Sequence, residues 1–301
     1  MIIPYLLLTL SILFSTGNSL ILRKFQNRTF RGAGDVFFFQ GGMSLVWIAV
    51  MAVWCLLEGE LAISPLTAGF GVIYSIILGL FLYFKTETLA IGPVSLTTLI
   101  SSCAFLVSTG FGVAYDHETV GLCQCIGIGL ILIALTLCIN PKMSAEKLSA
   151  KWFLCCFIVF AAGGMGGVFY KVFGRSSVGN EVNGMLLVAS VSSCVLFFLT
   201  GLGASKIRHE PRPAIARGAL TTMLLAGITG CIYIRLNVEM STVIPSAIFF
   251  PVFNGTQVML STVAGAFVFR EKLSKWQIAG IVMVLLSIVL IGCGDVLIKR
   301  L

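Results

Sequence analysis

The chain has 301 residues, of which 58% are hydrophobic and 11% are charged. A water-soluble protein of this length could not cover its surface with so few charges, because ordinary soluble domains carry about 25% charged residues. The net charge of +8 does not indicate nucleic-acid binding, since the Lys and Arg residues are divided among short loops. Composition therefore predicts a protein that crosses a membrane many times and has membrane lipids, not nucleic acid, as its surroundings.

Ten apolar runs come near the length of about 20 residues that crosses a bilayer as a helix. They lie at residues 4–22, 35–57, 66–84, 93–115, 120–139, 152–173, 183–203, 218–236, 245–269 and 275–297. Helices are expected because lipid offers backbone polar groups no hydrogen-bond partners. The first run has neither a basic segment before it nor a small-residue cleavage site after it, so we expect a retained helix and not a signal peptide.

Two predicted helical hairpins, at residues 93–139 and 245–292, resemble each other. Each contains an apolar run, a short hinge with a Glu and a second apolar run. An offset of 153 residues superposes five pairs of identical residues, namely Glu118 and Glu271, Gln124 and Gln277, Gly127 and Gly280, Gly112 and Gly265, and Ser108 and Ser261. The two Glu residues are predicted to cap helix starts, where a carboxylate suits the positive end of the helix dipole. Such a duplication is typical of transporters that are built from repeats.

A polar linker at residues 140–151 divides the chain into two halves, residues 1–139 and 152–301, with five predicted spans each. Because five is an odd number, the second half inserts upside down relative to the first. The sequence therefore predicts an all-α membrane protein whose ten transmembrane helices form two inverted five-helix repeats. The loops after the odd-numbered spans hold 15 Lys and Arg residues and the opposite side holds 5, so the positive-inside rule places both termini outside the cell.

The segments AIGPVSLTTLISSCAFLVS and FREKLSKWQIAGIVMVLLSIVLIG, at residues 90–108 and 269–292, resemble the EamA-like branch of the drug/metabolite transporter superfamily. The resemblance implies a secondary active transporter that moves a small metabolite, amino acid or drug-like molecule across the cytoplasmic membrane by alternating access, with export as the default direction. It also implies termini inside the cell, opposite to the charge count. The first hinge departs from the family pattern, with Tyr-Asp-His-Glu in place of a Gly-Glu-Arg-like turn.

Polar side chains in the fourth and ninth spans are the main candidates for substrate binding. Asn254, Gln257 and Ser261 are spaced i, i+3, i+7 and therefore share one helix face. Their counterparts in the fourth span include Ser101, which is followed by Ser102. Binding sites of repeat-built transporters lie near the bilayer midplane at the repeat interface, so we predict that these two stripes line a cavity. Hydrogen bonding between packed helices is the alternative role for the same side chains.

The first span carries a polar run around Asn18, which is predicted either to contact the substrate or to cap a bend in the helix. The corresponding part of the sixth span is rich in glycine, at Gly163, Gly164, Gly166 and Gly167. These glycines are predicted to allow close helix packing, with bending during alternating access as the alternative.

Ionisable side chains lie at the predicted ends of the third and eighth spans. Lys85 and Glu87 follow the third span, and Arg235 and Glu239, spaced i, i+4 so that they could pair, end the eighth. Snorkelling to the interface or structural ion pairs would explain all four. The functional alternative makes Arg235 a binding group for an anionic substrate and makes Lys85, Glu87 and Glu239 gating or coupling groups. Tyr74 is a further candidate for the wall of the vestibule.

No motif in the sequence indicates catalysis or ATP hydrolysis: there is no phosphate-binding Gly-rich loop with Lys, no HExxH and no GxSxG. We therefore expect no enzyme activity, no cofactor and no metal, and we interpret the ten cysteines as small packing residues. The expected partners are a small-molecule substrate and, as one candidate coupling ion, protons, in a monomer or weak homodimer. A membrane enzyme for a lipid-linked substrate and a non-transporting scaffold or sensor are the alternative functions.

Overall fold

The computed structural model describes residues 2–29, 33–59, 61–92, 94–115, 117–139, 149–207, 218–269 and 273–298. Within these ranges the regular structure is entirely helical. The helices are α1 (Ile2–Thr29), α2 (Ala33–Glu58), α3 (Pro65–Ile91), α4 (Val94–Ser102), α5 (Phe105–Tyr115), α6 (Leu122–Ile139), α7 (Ala150–Arg175), α8 (Val182–Ile207), α9 (Ala219–Val243), α10 (Ser246–Phe269) and α11 (Lys275–Ile298).

Nine spans in the described part of the chain are long and apolar enough to cross a membrane, and Leu122–Leu137 is a shorter apolar helix. One of the nine, Leu96–Tyr115, comprises α4 and α5. All ten predicted spans thus coincide with helices, and the chain is a multi-pass helical membrane protein. Residues 140–148 of the predicted polar linker lie outside the described residues.

The predicted ends of the third and eighth spans were wrong. Lys85 and Glu87 lie inside α3, and Arg235 and Glu239 lie inside α9, because both helices continue for seven residues past the ends predicted at residues 84 and 236. Hydropathy falls at charged residues, but Lys, Arg and Glu are good helix formers, so the backbone hydrogen-bond ladder continues through them. Lys85, Glu87 and Glu239, which lie beyond the predicted spans, are therefore helical, and Arg235 lies inside α9 as it does inside the predicted span.

Local hydrogen bonds fix several helix starts. Pro65 occupies the first position of α3, where its missing N–H costs nothing. The preceding Ser64 caps this helix, because its hydroxyl accepts a hydrogen bond from the Thr67 amide at 3.2 Å. At α11, Ser274 and Gln277 form a reciprocal capping box, with bonds of 2.9 and 3.2 Å.

The chain forms two compact units, and each unit contains segments from both halves of the sequence. The first unit comprises Met1–Leu8, Leu80–Tyr170 and Met240–Leu301. The second unit comprises Thr9–Gly79 and Lys171–Glu239.

In the second unit, α2 packs against α8 in an antiparallel arrangement. A Cβ on Gly41 would lie 3.0 Å from the Phe198 ring, and a Cβ on Gly34 would overlap the Ser205 hydroxyl. Residues near the start of α2 thus contact residues near the end of α8, so the two helices run in opposite directions. The aromatic rings of Phe38 and Phe198 meet edge to face, with centroids 5.0 Å apart. These helices are the second predicted span of each half.

In the first unit, α6 packs against α11, again antiparallel. A Cβ on Gly127 would lie 2.5 Å from Ile291 Cγ1, so only glycine permits this approach. Farther along, Ala134 and Val284 are fully buried in one core cluster. These helices are the fifth predicted span of each half. The fourth and ninth spans also meet, because α5 packs against α10.

Candidate functional site

A charged cluster in the second unit surrounds Arg235 on α9. Its Nε donates to Asn183 Oδ1 at 2.8 Å and its Nη1 donates to Glu239 Oε2 at 2.6 Å. Its Nη2 lies 3.9 Å from Glu58 Oε1. The cluster joins the end of α2, the start of α8 and the last turns of α9.

The Glu58 carboxylate in this cluster accepts two further hydrogen bonds. Trp54 Nε1 donates to it at 2.6 Å, and the Asn183 side-chain amide also donates to it. The Arg235 guanidinium lies 5.8 Å from the centroid of the Trp54 ring, within the range of a cation–π contact. One cation therefore faces two carboxylates, and the positive charge of Arg235 is offset within the protein. The sequence analysis did not single out Glu58 or Asn183, because they are 125 residues apart.

A second polar contact in this unit joins the turn before α3 to the turn before α8. The Thr67 hydroxyl and the Ser64 amide donate hydrogen bonds to the Glu181 carboxylate, the amide at 2.9 Å. These two donors lower the pKa of Glu181 below its ordinary value of 4.5, the hydroxyl having the larger effect. Glu181 was also not singled out from the sequence.

Asn18 connects α1 to α9 within the second unit. Its Nδ2 donates to the Ala226 carbonyl oxygen at 2.6 Å and to Thr229 Oγ1 at 3.1 Å. In the same interface, the Ser11 hydroxyl donates a hydrogen bond of 2.6 Å to Asn237 Oδ1. The amide of Asn18 thus serves helix packing in this structure. Tyr74, the other candidate from the first half in this unit, is 4% exposed and lies in the core.

In the first unit, the fourth predicted span is interrupted next to Ser101 and Ser102. Helix α4 ends at Ser102 and α5 begins at Phe105. Across the break the backbone forms i to i+3 hydrogen bonds, such as Leu106 N to Cys103 O at 3.0 Å, in place of the α-helical pattern. The Ser101 hydroxyl donates to the Thr98 carbonyl oxygen at 2.9 Å, a local bond that competes with the helix backbone.

Helix α10 carries the other stripe of candidate residues and is continuous, but it contains a proline. Pro251 lies inside it and removes one backbone donor. One turn further on, Asn254 Nδ2 donates to the Phe250 carbonyl oxygen at 2.9 Å. This bond uses one of the two N–H donors of the amide. Asn254 and Gln257 are both partly buried.

The glycine run of α7 packs directly on the break. A Cβ on Gly163 would lie 3.0 Å from Ala104 Cβ, and a Cβ on Gly164 would lie 2.7 Å from the Ala104 carbonyl oxygen. The Ser108 hydroxyl donates to the Gly164 carbonyl oxygen at 2.7 Å. Gly166 has open space at its Cβ position. Close packing, the first of the two roles predicted for this run, is confirmed for Gly163, Gly164 and Gly167.

The two charged candidates on α3 have different surroundings. Glu87 is 12% exposed at its side chain and lies 3.9 Å from Lys151 Nζ, at the start of α7. Lys85 Nζ lies over the Phe81 ring, 5.1 Å from its centroid. Glu87 therefore has a cationic partner, and Lys85 contacts an aromatic ring.

The hinges of the two repeated hairpins show related hydrogen bonds. Glu118 Oε2 accepts a hydrogen bond from the amide of Ala247 at 3.3 Å, so it caps the start of α10 as predicted. Glu271 lies outside the described residues. Gln124 Oε1 accepts from the Gly121 amide at 3.1 Å, which reproduces the Gln277 bond at the start of α11.

The candidates predicted to bind or couple a substrate are divided between the units. The second unit holds Asn18, Tyr74, Arg235 and Glu239, and Arg235 is hydrogen-bonded to Glu239. The first unit holds Ser101, Ser102, Asn254, Gln257, Lys85 and Glu87.

No protein-family model matches the chain, and no curated protein matches it. A solved structure described only as "Crystal structure of protein" has the same fold, with a TM-score of 0.78 and 14% sequence identity. The match covers 99% of this chain and 98% of that chain. At this identity the likeness shows the fold alone.

Proposed function

We propose that the protein is a secondary active transporter. It moves a small metabolite, an amino acid or a drug-like molecule across the cytoplasmic membrane by alternating access, in the direction of export. The observation that carries the proposal is a loss of regular α-helical hydrogen bonding in the first part of each repeated hairpin. In the first hairpin this is the break between α4 and α5, and in the second it is Pro251 within the continuous helix α10, which the offset of 153 residues puts five residues before the break.

Interrupted helices are costly inside a membrane, because each missing backbone bond leaves a polar group without water. They are tolerated where the chain lines a cavity or is covered by protein, and paired interruptions in the two halves of a transporter indicate its binding site. Ser101 and Asn254, which the offset of 153 residues superposes, lie within three residues of the break and of Pro251, respectively. Their side chains, with those of Ser102 and Gln257, are the proposed substrate ligands.

The packing of the helices supports an inverted duplication. Helices α2 and α8, and likewise α6 and α11, occupy the same position in each half and pack antiparallel to each other. An inverted repeat requires this direction, since helices related by a two-fold axis in the membrane plane run in opposite senses. The matching Gln caps of α6 and α11 support the same origin.

Two charged pairs are the candidates for gating or for coupling to protons. One is Glu239 with Arg235, and the other is Glu87 with Lys151. A carboxylate that gains a proton releases its cationic partner, which would loosen the helices that the pair joins. Exchange and facilitated diffusion remain the other modes of energy coupling.

Untargeted metabolomics of cells with and without the protein tests the proposal. We expect at least one small molecule to fall inside the cells and to rise in the medium when the wild-type chain is present. The double variant Asn254→Leu/Gln257→Leu should abolish this difference. Phe267→Leu is the matched control on the same helix, because that side chain is 80% exposed and faces away from the packed interior.

Expression of each variant in the membrane must be equal for the comparison to count. A double variant that changes the same metabolites as the wild-type chain would remove Asn254 and Gln257 from the site. Conversion of a lipid substrate by the purified protein, without movement of any solute, would favour the membrane-enzyme alternative.

A further inference from the structure

Lys85 lies within the membrane-spanning part of α3. Twenty residues separate it from the start of the helix at Pro65, and six separate it from the end at Ile91. At a rise of 1.5 Å per residue, the nearer end is about 9 Å away. A lysine at this depth usually extends toward that end, so that its ammonium group reaches water.

The Lys85 side chain extends in the opposite direction. Its ammonium group lies over the ring of Phe81, one helical turn toward the start of α3. Side chains of a helix lean toward its N-terminus, and the four-residue spacing brings Lys85 and Phe81 together on one face. The charge is thereby carried toward the middle of the helix, so snorkelling to the nearer interface does not account for it.

The Phe81 ring and the break in the fourth span have a common neighbour on α7. Both this ring and Ala104, which lies in the break between α4 and α5, approach Gly163 at the centre of α7. A Cβ on Gly163 would lie 3.1 Å from the Phe81 ring and 3.0 Å from Ala104 Cβ. The ring that the Lys85 ammonium group contacts and the break next to Ser101 and Ser102 therefore approach the same residue of α7. All of these residues belong to the first unit.

Within the part of the chain that the structure describes, the Lys85 ammonium group contacts the Phe81 ring and forms no ion pair. The nearby Glu87 is 3.9 Å from Lys151. Arg235 differs, since Glu239 and Glu58 offset its charge. An ionised group inside a membrane protein normally pairs with another charge or serves a substrate or ion pathway, and an aromatic ring compensates a cation only in part.

We propose that Lys85 binds the oxyanion of the transported molecule, a carboxylate or a phosphate group. The ammonium group supplies the charge, and its three donors form charge-assisted hydrogen bonds to the oxyanion oxygens. The Phe81 ring, which approaches Gly163, positions the ammonium group. This inference rests on the proposed transport function and assigns its substrate to the class of small organic anions.

Ligand-induced stabilisation of the purified full-length protein in detergent tests this assignment. The probe is a cellular small-molecule extract that anion exchange has separated into an anionic pool and a neutral and cationic pool. At constant ionic strength, the anionic pool should raise the unfolding temperature of the wild-type protein, because a ligand that binds only the folded state stabilises it. The neutral and cationic pool should leave the unfolding temperature unchanged. Treating the anionic pool with phosphatase distinguishes phosphate esters, whose effect is lost, from carboxylates, whose effect remains.

Variants of Lys85 show whether this residue carries the effect. Lys85→Met should weaken apparent binding roughly ten- to hundredfold, the usual loss for a charge-assisted hydrogen bond. Lys85→Arg should retain part of the binding. Lys275→Met is the matched control, since Lys275 is exposed at the start of α11 in the same unit, and it should respond like the wild-type protein. An unfolding temperature without ligand that matches the wild-type value shows that each variant is folded.

Absence of any shift with the anionic pool, or an equal shift in Lys85→Met, would overturn the assignment. Transport of a neutral or cationic compound that Lys85→Met leaves unchanged would do the same while upholding the transport function. Binding of anions that depends on Lys85, without transport in reconstituted vesicles, would support the anion site and contradict the transport function.

Discussion

Arg235 and Lys85 carry the same charge but have different surroundings. Arg235 uses its guanidinium fork to contact Asn183 and Glu239, while Glu58 lies within ion-pair distance. Lys85 has an aromatic neighbour. The first arrangement stabilises the joined ends of three helices, and the second leaves a charge for a ligand. The sequence analysis gave anion binding by Arg235 as the alternative to a structural ion pair, and the structure contains the ion pair with Glu239. Our proposal assigns anion binding to Lys85 instead.

Removing the guanidinium group of Arg235 should destabilise the second unit. In Arg235→Met, Glu58 and Glu239 lose their shared cation and Asn183 loses a donor. We expect a loss of about 1–2 kcal/mol, because the two carboxylates are partly exposed and solvent screens their interactions. Unfolding by titration with denaturing detergent measures this change. Arg235→Lys should recover little of it, since an ammonium group lacks the planar fork. Wild-type stability in Arg235→Met would contradict a structural role for the cluster.

Glu181 should make the stability of the protein depend on pH in the acidic range. Its pKa is lowered in the folded state, so its contribution is present above the ordinary value of 4.5 and is lost as the pH falls through the lowered value. Glu181→Gln should lower the unfolding temperature at pH 7 by a small amount, on the order of a degree or two. The difference between wild-type and variant protein should disappear in acid. A difference that persists unchanged at low pH would exclude this origin.

At the scale of elements, the glycine run of α7 and the break between α4 and α5 form one packed feature. Gly164 approaches the backbone of Ala104 closely, whereas Gly166, two residues away, has free space. The sequence predicted close packing of this run from its small residues. It could not predict which glycines touch a neighbour, because that depends on the direction each faces.

Alanine substitutions at these two glycines should have opposite effects. In Gly164→Ala the new methyl group would lie 2.7 Å from the Ala104 carbonyl oxygen, so the helices must separate. We expect a loss of about 1–3 kcal/mol, typical of overpacking. Gly166→Ala should be neutral or stabilising by about 0.5–1 kcal/mol, because alanine loses less backbone entropy in a helix. Thermal unfolding of the two variants in detergent makes the comparison, and equal effects would contradict the close contact at Gly164.

Helix positions were predictable from the sequence, but the helix break and the contacts of the charged side chains were not. Apolar runs about 20 residues long locate spans whatever their packing. The break after Ser102 contains neither Pro nor Gly, so neither hydropathy nor composition indicates it. The contact between Glu58 and Asn183 joins residues 125 apart, and no local pattern encodes it. The sequence predicted that Glu118 caps a helix start, but it could not predict that the capped helix is α10, because Glu118 and Ala247 are 129 residues apart.

For the whole molecule, the distribution of Lys and Arg predicts which loops face the cytoplasm. Ala62 lies in an exposed loop after α2, and Ile207, 81% exposed, ends α8. In a background without the ten native cysteines, Ala62→Cys should react with an impermeant thiol reagent in intact cells. Ile207→Cys should react only after the cells are permeabilised, because its loop belongs to the basic side. The reverse pattern would place both termini inside, as the family resemblance implies.

The central claim is that this chain moves a solute across a membrane through a site at its interrupted helices. Its most direct test uses proteoliposomes filled with a small-molecule extract of cells, with mass spectrometry of the outer medium over time. At least one compound should leave vesicles that contain the wild-type protein faster than vesicles that contain Asn254→Leu/Gln257→Leu or no protein. Release of every compound at the same rate from all three preparations would contradict the claim.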